Sequence, residues 1–272
     1  MSTWQTTRHR AADAARTAGG TAGRVVVGGL ARVLGPARMA AWSVAVADDR
    51  EAALGRVTEE LTPLDDVTPA DLAGAYLRGY VLMGRGGEAR PQLILRYVRP
   101  RAVIDAASAR VPSRVRTYLR RGDLEIGDSM PLEPVIRACA ERERTWIVEP
   151  VVQAWLAADA AGLVTTWTAS RDGVPVAGMW GIDLGRTYGI ASMFHTEDGA
   201  GAVAMAALLG QLGTRWDLVD CGSLKPHFAR FGAYEVTPQE FRARVLAGVV
   251  GPSRTAPETA QDDVVPAQAV AR

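Results

Sequence analysis

The chain has 272 residues, 48% hydrophobic and 22% charged, with a formal net charge of +1, which suits a globular protein able to bury the core of one large or two modest domains. A membrane span needs roughly 18 uncharged apolar residues, and the most apolar region, Val25 to Ala47, is broken by Arg32, Pro36 and Arg38. The start lacks a signal-peptide pattern, and Cys139 and Cys221 have neither the number nor the spacing for a disulfide framework or a zinc site, so the expectation is a cytoplasmic, metal-free protein with no membrane contact.

Residues 1–62 are rich in Ala, Gly and Arg and punctuated by glycine pairs, which predicts a partly disordered extension with at most two short helices. Thr68-Pro69-Ala70-Asp71 supplies an N-cap threonine, a proline at the first helical position and an acid in the first turn, predicting a helix over Pro69–Arg78. Pro91–Ile104 reads as extended, and residues 63–105 are expected to form a small N-terminal domain. Helices follow over Leu132–Arg142 and Pro150–Ala161. The period then changes to that of strands: Leu163–Ser170, an Asp172-Gly173 turn, Pro175–Asp183, a turn at Gly185, and Thr187–Phe194, a three-stranded antiparallel meander. A helix over Ala202–Leu212, a buried strand over Leu218–Cys221 and a last helix opened by Thr237-Pro238-Gln239-Glu240 complete an α+β acyltransferase layout over residues 106–250. Pro, Ala, Gln and Asp dominate from 251 to 272, predicting a disordered tail.

Near-neutrality hides a local asymmetry. Eleven arginines between Arg78 and Arg121 face only Glu88 and Asp105, whereas Asp48 to Asp71 is acidic. Such runs pair with each other or stay solvated, or they grip an anion. Arg110, Arg114, Arg116, Arg120 and Arg121, interleaved with Tyr118, suit phosphate contact and base stacking.

Three histidines are present, His9, His195 and His227; His195 and His227 serve either as general bases or as ordinary polar contacts. No Gly-x-Ser-x-Gly nucleophile turn occurs. Asp220 ends an apolar strand, where a carboxylate must meet a partner or line a cleft. The turn Gly199-Ala200-Gly201 suits a phosphate-binding helix start, but Glu197 and Asp198 would repel that phosphate.

Val135-Ile136-Arg137-Ala138-Cys139-Ala140, Thr145-Trp146-Ile147, Val176 to Gly181, Ser192-Met193-Phe194, Asp220-Cys221, and His227 through Phe231-Gly232-Ala233 occur in an order and spacing that resembles the leucyl/phenylalanyl-tRNA–protein transferases. The resemblance runs from about Thr68 to Val245. It implies a small N-terminal domain, a C-terminal GNAT-like acyltransferase domain, an aminoacyl-tRNA donor, an acceptor amine, and no metal or nucleotide cofactor. It places Asp220 near the reacting groups and Trp146 beside the terminal adenosine. Met179 and Phe194 then fall at the amino-acid pocket, with Tyr188, Ser192, Met193 and His227 as substrate contacts, and the arginines from Arg110 to Arg121 fall on the acceptor stem.

The departures bear on the acceptor. Where the family has a glutamate the chain has Ala191, and where it has a glutamine beside Asp-Cys the chain has Gly222; His195 replaces a serine. The aromatic loops of the family read Gly79-Tyr80-Val81-Leu82-Met83 and Leu95-Arg96-Tyr97-Val98 here. A basic N-terminal residue needs polar or negative groups to receive it, so these changes predict amide formation on a non-standard amine, a small molecule or peptide, with His195 as a new base or acceptor contact beside Asp220. The alternatives are leucyl or phenylalanyl transfer to proteins that begin with Lys or Arg, an acyl-CoA-dependent N-acyltransferase, and an RNA-binding protein without catalysis.

Overall fold

The computed structural model describes residues 62–64, 67–85, 91–128 and 130–250. The expected extension up to residue 61, with His9, and the expected tail from residue 251 lie outside the described residues. The elements are β1 (Thr62–Leu64), α1 (Pro69–Leu77), β2 (Tyr80–Arg85), β3 (Gln92–Tyr97), β4 (Arg101–Asp105), α2 (Ser113–Arg121), β5 (Glu125–Gly127), α3 (Leu132–Ala140), α4 (Glu149–Ala160), β6 (Val164–Arg171), β7 (Val174–Asp183), β8 (Thr187–His195), α5 (Ala200–Leu209), β9 (Leu218–Gly222), α6 (Pro226–Arg230), β10 (Tyr234–Val236) and α7 (Pro238–Val250).

Local chemistry explains several of these boundaries. The Thr68 hydroxyl accepts from the Asp71 amide at 3.2 Å while the Asp71 carboxylate accepts from the Thr68 amide at 3.1 Å, a complete capping box that starts α1. At α7 only half of the expected box forms. Thr237 accepts from the Glu240 amide, and the Glu240 carboxylate instead pairs with Arg244 at 2.8 Å. Asp172 and Gly173 both take positive φ, 51° and 75°, the turn geometry whose twist matches a two-stranded ribbon, and they join β6 to β7 as the sequence predicts.

The fold is α+β. A three-stranded antiparallel sheet has the order β1-β3-β2, and a seven-stranded sheet has the order β10-β4-β9-β8-β7-β6-β5. The segment 63–105 therefore contributes strands to both sheets, and the chain changes sheet between Tyr97 and Arg101. Every pairing in the larger sheet is antiparallel except β8 with β9. Alternate residues of β7 serve two cores. Trp180 and Ile182 pack with α1, α3, α4 and α7, whereas Met179 and Ala177 pack with α2 and α5; burying a side chain of that size contributes about 1.5–3 kcal/mol. Helix α5 is apolar all round, and only Ala202 escapes full burial.

One buried ion pair ties the layers together. Arg101 at the start of β4 is 1% exposed, and its Nε and Nη2 reach the two Asp220 carboxylate oxygens at 2.8 and 2.7 Å. Its Nη1 donates to the Gly79 carbonyl at 2.7 Å, just before β2, and its guanidinium lies 4.9 Å from the Phe241 ring on α7. Asp220 also accepts from the Gly222 amide at 2.9 Å. Removing one partner of a buried pair leaves an uncompensated charge, at a cost of about 3–5 kcal/mol. Asp220→Asn is accordingly expected to lower stability by that amount in urea unfolding, and the double replacement Arg101→Met with Asp220→Leu is expected to recover most of it. Equal losses in the single and double variants would show that the cost does not come from an uncompensated buried charge.

Candidate active site

Strands β8 and β9 are paired only from Thr187–Leu218 to Gly189–Asp220. Beyond that point β8 runs on to His195 against β7, and β9 turns to Gly222 against β4. The two strands diverge, and a cavity of about 920 Å³ occupies the opening. Its walls come from both faces of the sheet: Val135 and Ala138 of α3 on one side, Gly201 and Met205 of α5 on the other, with Ile190 to Thr196 and Cys221 between them.

The cavity gathers six of the residues expected from sequence, Trp146, Ser192, Met193, Phe194, His195 and His227. Asp220 is not among its lining residues, because it sits at the point where the strands part with its oxygens turned to Arg101 and Gly222. Its carboxylate meets a partner instead of lining the cleft. Met179 and Tyr188 are fully buried away from the lining; Met179 belongs to the core beneath α5, and the Tyr188 hydroxyl donates to the Thr165 carbonyl at 2.8 Å. Met179 is the register partner of Met193 and shares its face of the sheet, but it is fully buried in the core and does not reach the lining.

Trp146 is placed by a close backbone approach. The Gly84 amide of β2 donates to the Trp146 carbonyl at 2.8 Å, and a Cβ on Gly84 would stand 2.5 Å from that oxygen and 2.3 Å from the Val148 side chain. Only glycine permits that docking of the small sheet against the Trp146 loop. The Trp146 ring then tilts against Trp180 with centroids 6.2 Å apart.

The charged groups of the lining are Glu141, Arg142, Lys225 and the two histidines. The Arg142 Nη2 donates to the Met193 carbonyl and weakly to the Ser192 hydroxyl at 3.4 Å. Partial burial, with Lys225 and Arg230 close by, lowers the pKa of His227 from its ordinary value and so favours the neutral imidazole at neutral pH. Burial acts the other way on the thiols. It pushes Cys139 up to about 12 and Cys221 well above its usual range, so both are protonated and poor nucleophiles.

Arg114, Arg116, Arg120 and Arg121 share helix α2, which sequence reasoning did not assign because only Val115 and Leu119 mark its buried side. Gly122 at φ 67° ends it. That i, i+4 pair, with the glycine stop, is the signal that finds the helix. Arg114 and Arg121 lie over the Tyr118 ring at 5.9 and 5.6 Å. The same ring packs on Gly199 at the start of α5, where φ is 83° and a Cβ would lie 2.7 Å from the ring, so the basic helix abuts a residue of the cavity wall. Arg110 is engaged elsewhere. Its guanidinium donates to the Ala229 and Arg230 carbonyls at 2.8 and 3.2 Å and caps the end of α6. Sequence reasoning also missed Arg101, Arg142 and Lys225. An arginine at the head of the apolar run Ala102 to Ile104 was the available sign for Arg101.

Among the described residues no group of three or more potential ligands could hold a metal ion, and no helix is long and apolar enough to cross a membrane. The thiols yield a direct test. Iodoacetamide at pH 8 is expected to leave both Cys139 and Cys221 unmodified in the native protein while labelling them in urea, and rapid native labelling of Cys221 would contradict its assignment as an inert wall residue.

Comparison with known proteins covers this same architecture. The family model described as leucyl/phenylalanyl-tRNA protein transferase matches residues 103–246, from β4 into α7. The leucyl/phenylalanyl-tRNA–protein transferase of Rubrobacter xylanophilus is 34% identical over 182 residues, 66% of this chain and 93% of that protein. The protein of that name from Anaeromyxobacter dehalogenans is 34% identical over 160 residues, 57% of this chain and 69% of its own, and that from Gloeobacter violaceus is 30% identical over 190 residues, 69% and 97%. A GCN5-related glucosamine N-acetyltransferase region of a fungal β-N-acetylglucosaminidase covers 64% of this chain and 23% of that one at a TM-score of 0.36 and 14% identity, too distant to carry an argument. The matched span takes in both diverging strands, the helices on either face of the cavity and the basic helix beside it, and on that extent and identity the chain belongs to the leucyl/phenylalanyl-tRNA–protein transferase family.

Proposed function

We propose that the protein transfers an aminoacyl group from an aminoacyl-tRNA to an acceptor amine, in the cavity between β8 and β9 and in the cytoplasm, where charged tRNA is found. The observation that carries this reading is the contact of Tyr118 with Gly199, which joins an arginine-covered helix to the wall of the cavity. Phosphates of an acceptor stem on α2 would thus deliver a 3′ end into the opening. Trp146 offers the terminal adenosine a stacking face, and Phe194 and Met193 offer the amino-acid side chain an apolar wall.

The donor is an ester, already activated. The neutral acceptor amine directs its lone pair at the ester carbonyl carbon, the carbon–oxygen bond to the ribose breaks, and the one proton that the nitrogen gives up ends on the departing ribose oxygen as its hydroxyl. The protein must position the two reactants, accept a proton and stabilise the oxyanion. Asp220 is held by Arg101 outside the lining, so its part is to position β9. His227, favoured in the neutral form and in the cavity wall, is the better proton acceptor, and His195 on β8 lines the cavity as an acceptor contact. Backbone groups of β8 past Gly189, where the ladder to β9 ends, are candidates to meet the oxyanion. The acceptor departs from a basic N-terminal residue, an inference supported by Ala191 and Gly222 and by the lone carboxylate of the lining, Glu141.

A pool of aminoacylated tRNA is expected to be retained over its deacylated counterpart. Replacing Arg114, Arg116, Arg120 and Arg121 together by Glu should weaken retention at least about tenfold and flatten its salt dependence; equal retention of charged and uncharged tRNA would remove the transferase reading. For His227→Gln, kcat is expected to fall about 100-fold and the acid limb of the pH–rate profile, set below the ordinary histidine value, to disappear. An unchanged acid limb would assign the proton to another group.

A further inference from the structure

The ionisable lining of the cavity is unbalanced. Arg142 and Lys225 carry fixed positive charge, Glu141 alone carries negative charge, and none of the three has an ion-pair partner among the described residues. Arg142 is also anchored: it reaches across from the end of α3 to β8, where one terminal nitrogen, Nη2, donates to the Met193 carbonyl and the Ser192 hydroxyl. Its Nε and Nη1 donate to nothing among the described residues, and Arg142 lines the cavity together with Ala191 and Ser192, so it has donors left for a ligand there. A cationic acceptor side chain brought there would meet like charge, which costs binding, whereas a carboxylate would find a preset fork of donors.

From this we propose that the acceptor is an amine with a carboxylate close to its amino group, and that Arg142 receives that carboxylate and sets the acceptor specificity. The inference rests on the aminoacyl-tRNA reading above and deepens it. Two sources carry the chemistry, a peptide whose first residue is Asp or Glu and a free acidic amino acid. In either case the carboxylate is unchanged by the reaction. The amine forms the amide and loses its proton, and the ribose hydroxyl of the tRNA departs.

The experiment uses the full chain, a radiolabelled aminoacyl-tRNA pool and four acceptors: peptides identical except for a first residue of Glu, Ala or Arg, and free glutamate. Transfer to the Glu peptide or to glutamate should exceed transfer to the Ala and Arg peptides at least tenfold, and the better of the two identifies the source. Arg142→Glu should invert the order in favour of the Arg peptide, and Arg142→Lys, which keeps a donor for the Met193 carbonyl, should keep the original order with a raised acceptor KM and an unchanged KM for aminoacyl-tRNA. A rise in that donor KM instead would assign Arg142 to tRNA phosphate and overturn the inference. So would a wild-type preference for the Arg peptide, an order unmoved by Arg142→Glu, or no transfer to either carboxylate-bearing acceptor while charged tRNA is still retained, each leaving the transferase reading intact. Failure to discriminate charged from uncharged tRNA would bring down that reading and the inference with it.

Discussion

The architecture depends on one buried pair of charges. Arg101 and Asp220 meet where β8 and β9 stop pairing, and the same guanidinium holds the Gly79 carbonyl of the small sheet and lies against Phe241 of α7. Charges this buried persist only when fully partnered. Arg101 is partnered on three sides, and each partner belongs to a different part of the fold. The pair therefore fixes the apex of the opening, and the direction in which β9 leaves β8 follows from it.

The cavity is a consequence of that divergence. A continuous ladder would place Ile190 to His195 against β9 and leave no room between them. With the ladder ended at Gly189, the space is open to both faces of the sheet, so helices from the two cores, α3 and α5, supply its walls. Two glycines complete the arrangement by allowing close approach. Gly84 lets the small sheet dock on the Trp146 loop, and Gly199 lets the basic helix press Tyr118 onto the start of α5. Cavity-lining groups from separate stretches of chain are thus held by rigid elements, as the proposed transfer requires for orienting two reactants.

Much of this was legible in the chain itself. The Thr68 capping box, the Asp172-Gly173 turn and the period-two alternation of β6 to β8 act through neighbouring residues, so sequence patterns report them directly. Helix α2 was not legible in the same way, because two buried residues in nine give a weak period beneath a strong run of charge. His195, His227, Trp146 and Phe194, singled out from sequence, line the cavity, whereas Met179 and Tyr188, singled out with them, do not. In sequence a strand residue that lines the opening looks like one buried beside it: Met179 is the register partner of Met193, and Tyr188 lies where β8 is still paired with β9.

By itself the sequence determined the longer helices and the three-stranded meander, the α+β class, the clustering of arginine between Arg78 and Arg121, and the family to which the motifs belong. Only the tertiary structure decided what those residues meet. An acid at the end of an apolar strand is compatible with a partner or with a cleft, and the choice rested on Arg101, 119 positions away. Arg142 and Lys225 were anonymous members of charged or loop segments until the diverging strands brought them to one cavity. Charge pairing and cavity formation are set by distances between segments remote in sequence, and those distances exist only once the sheet has closed.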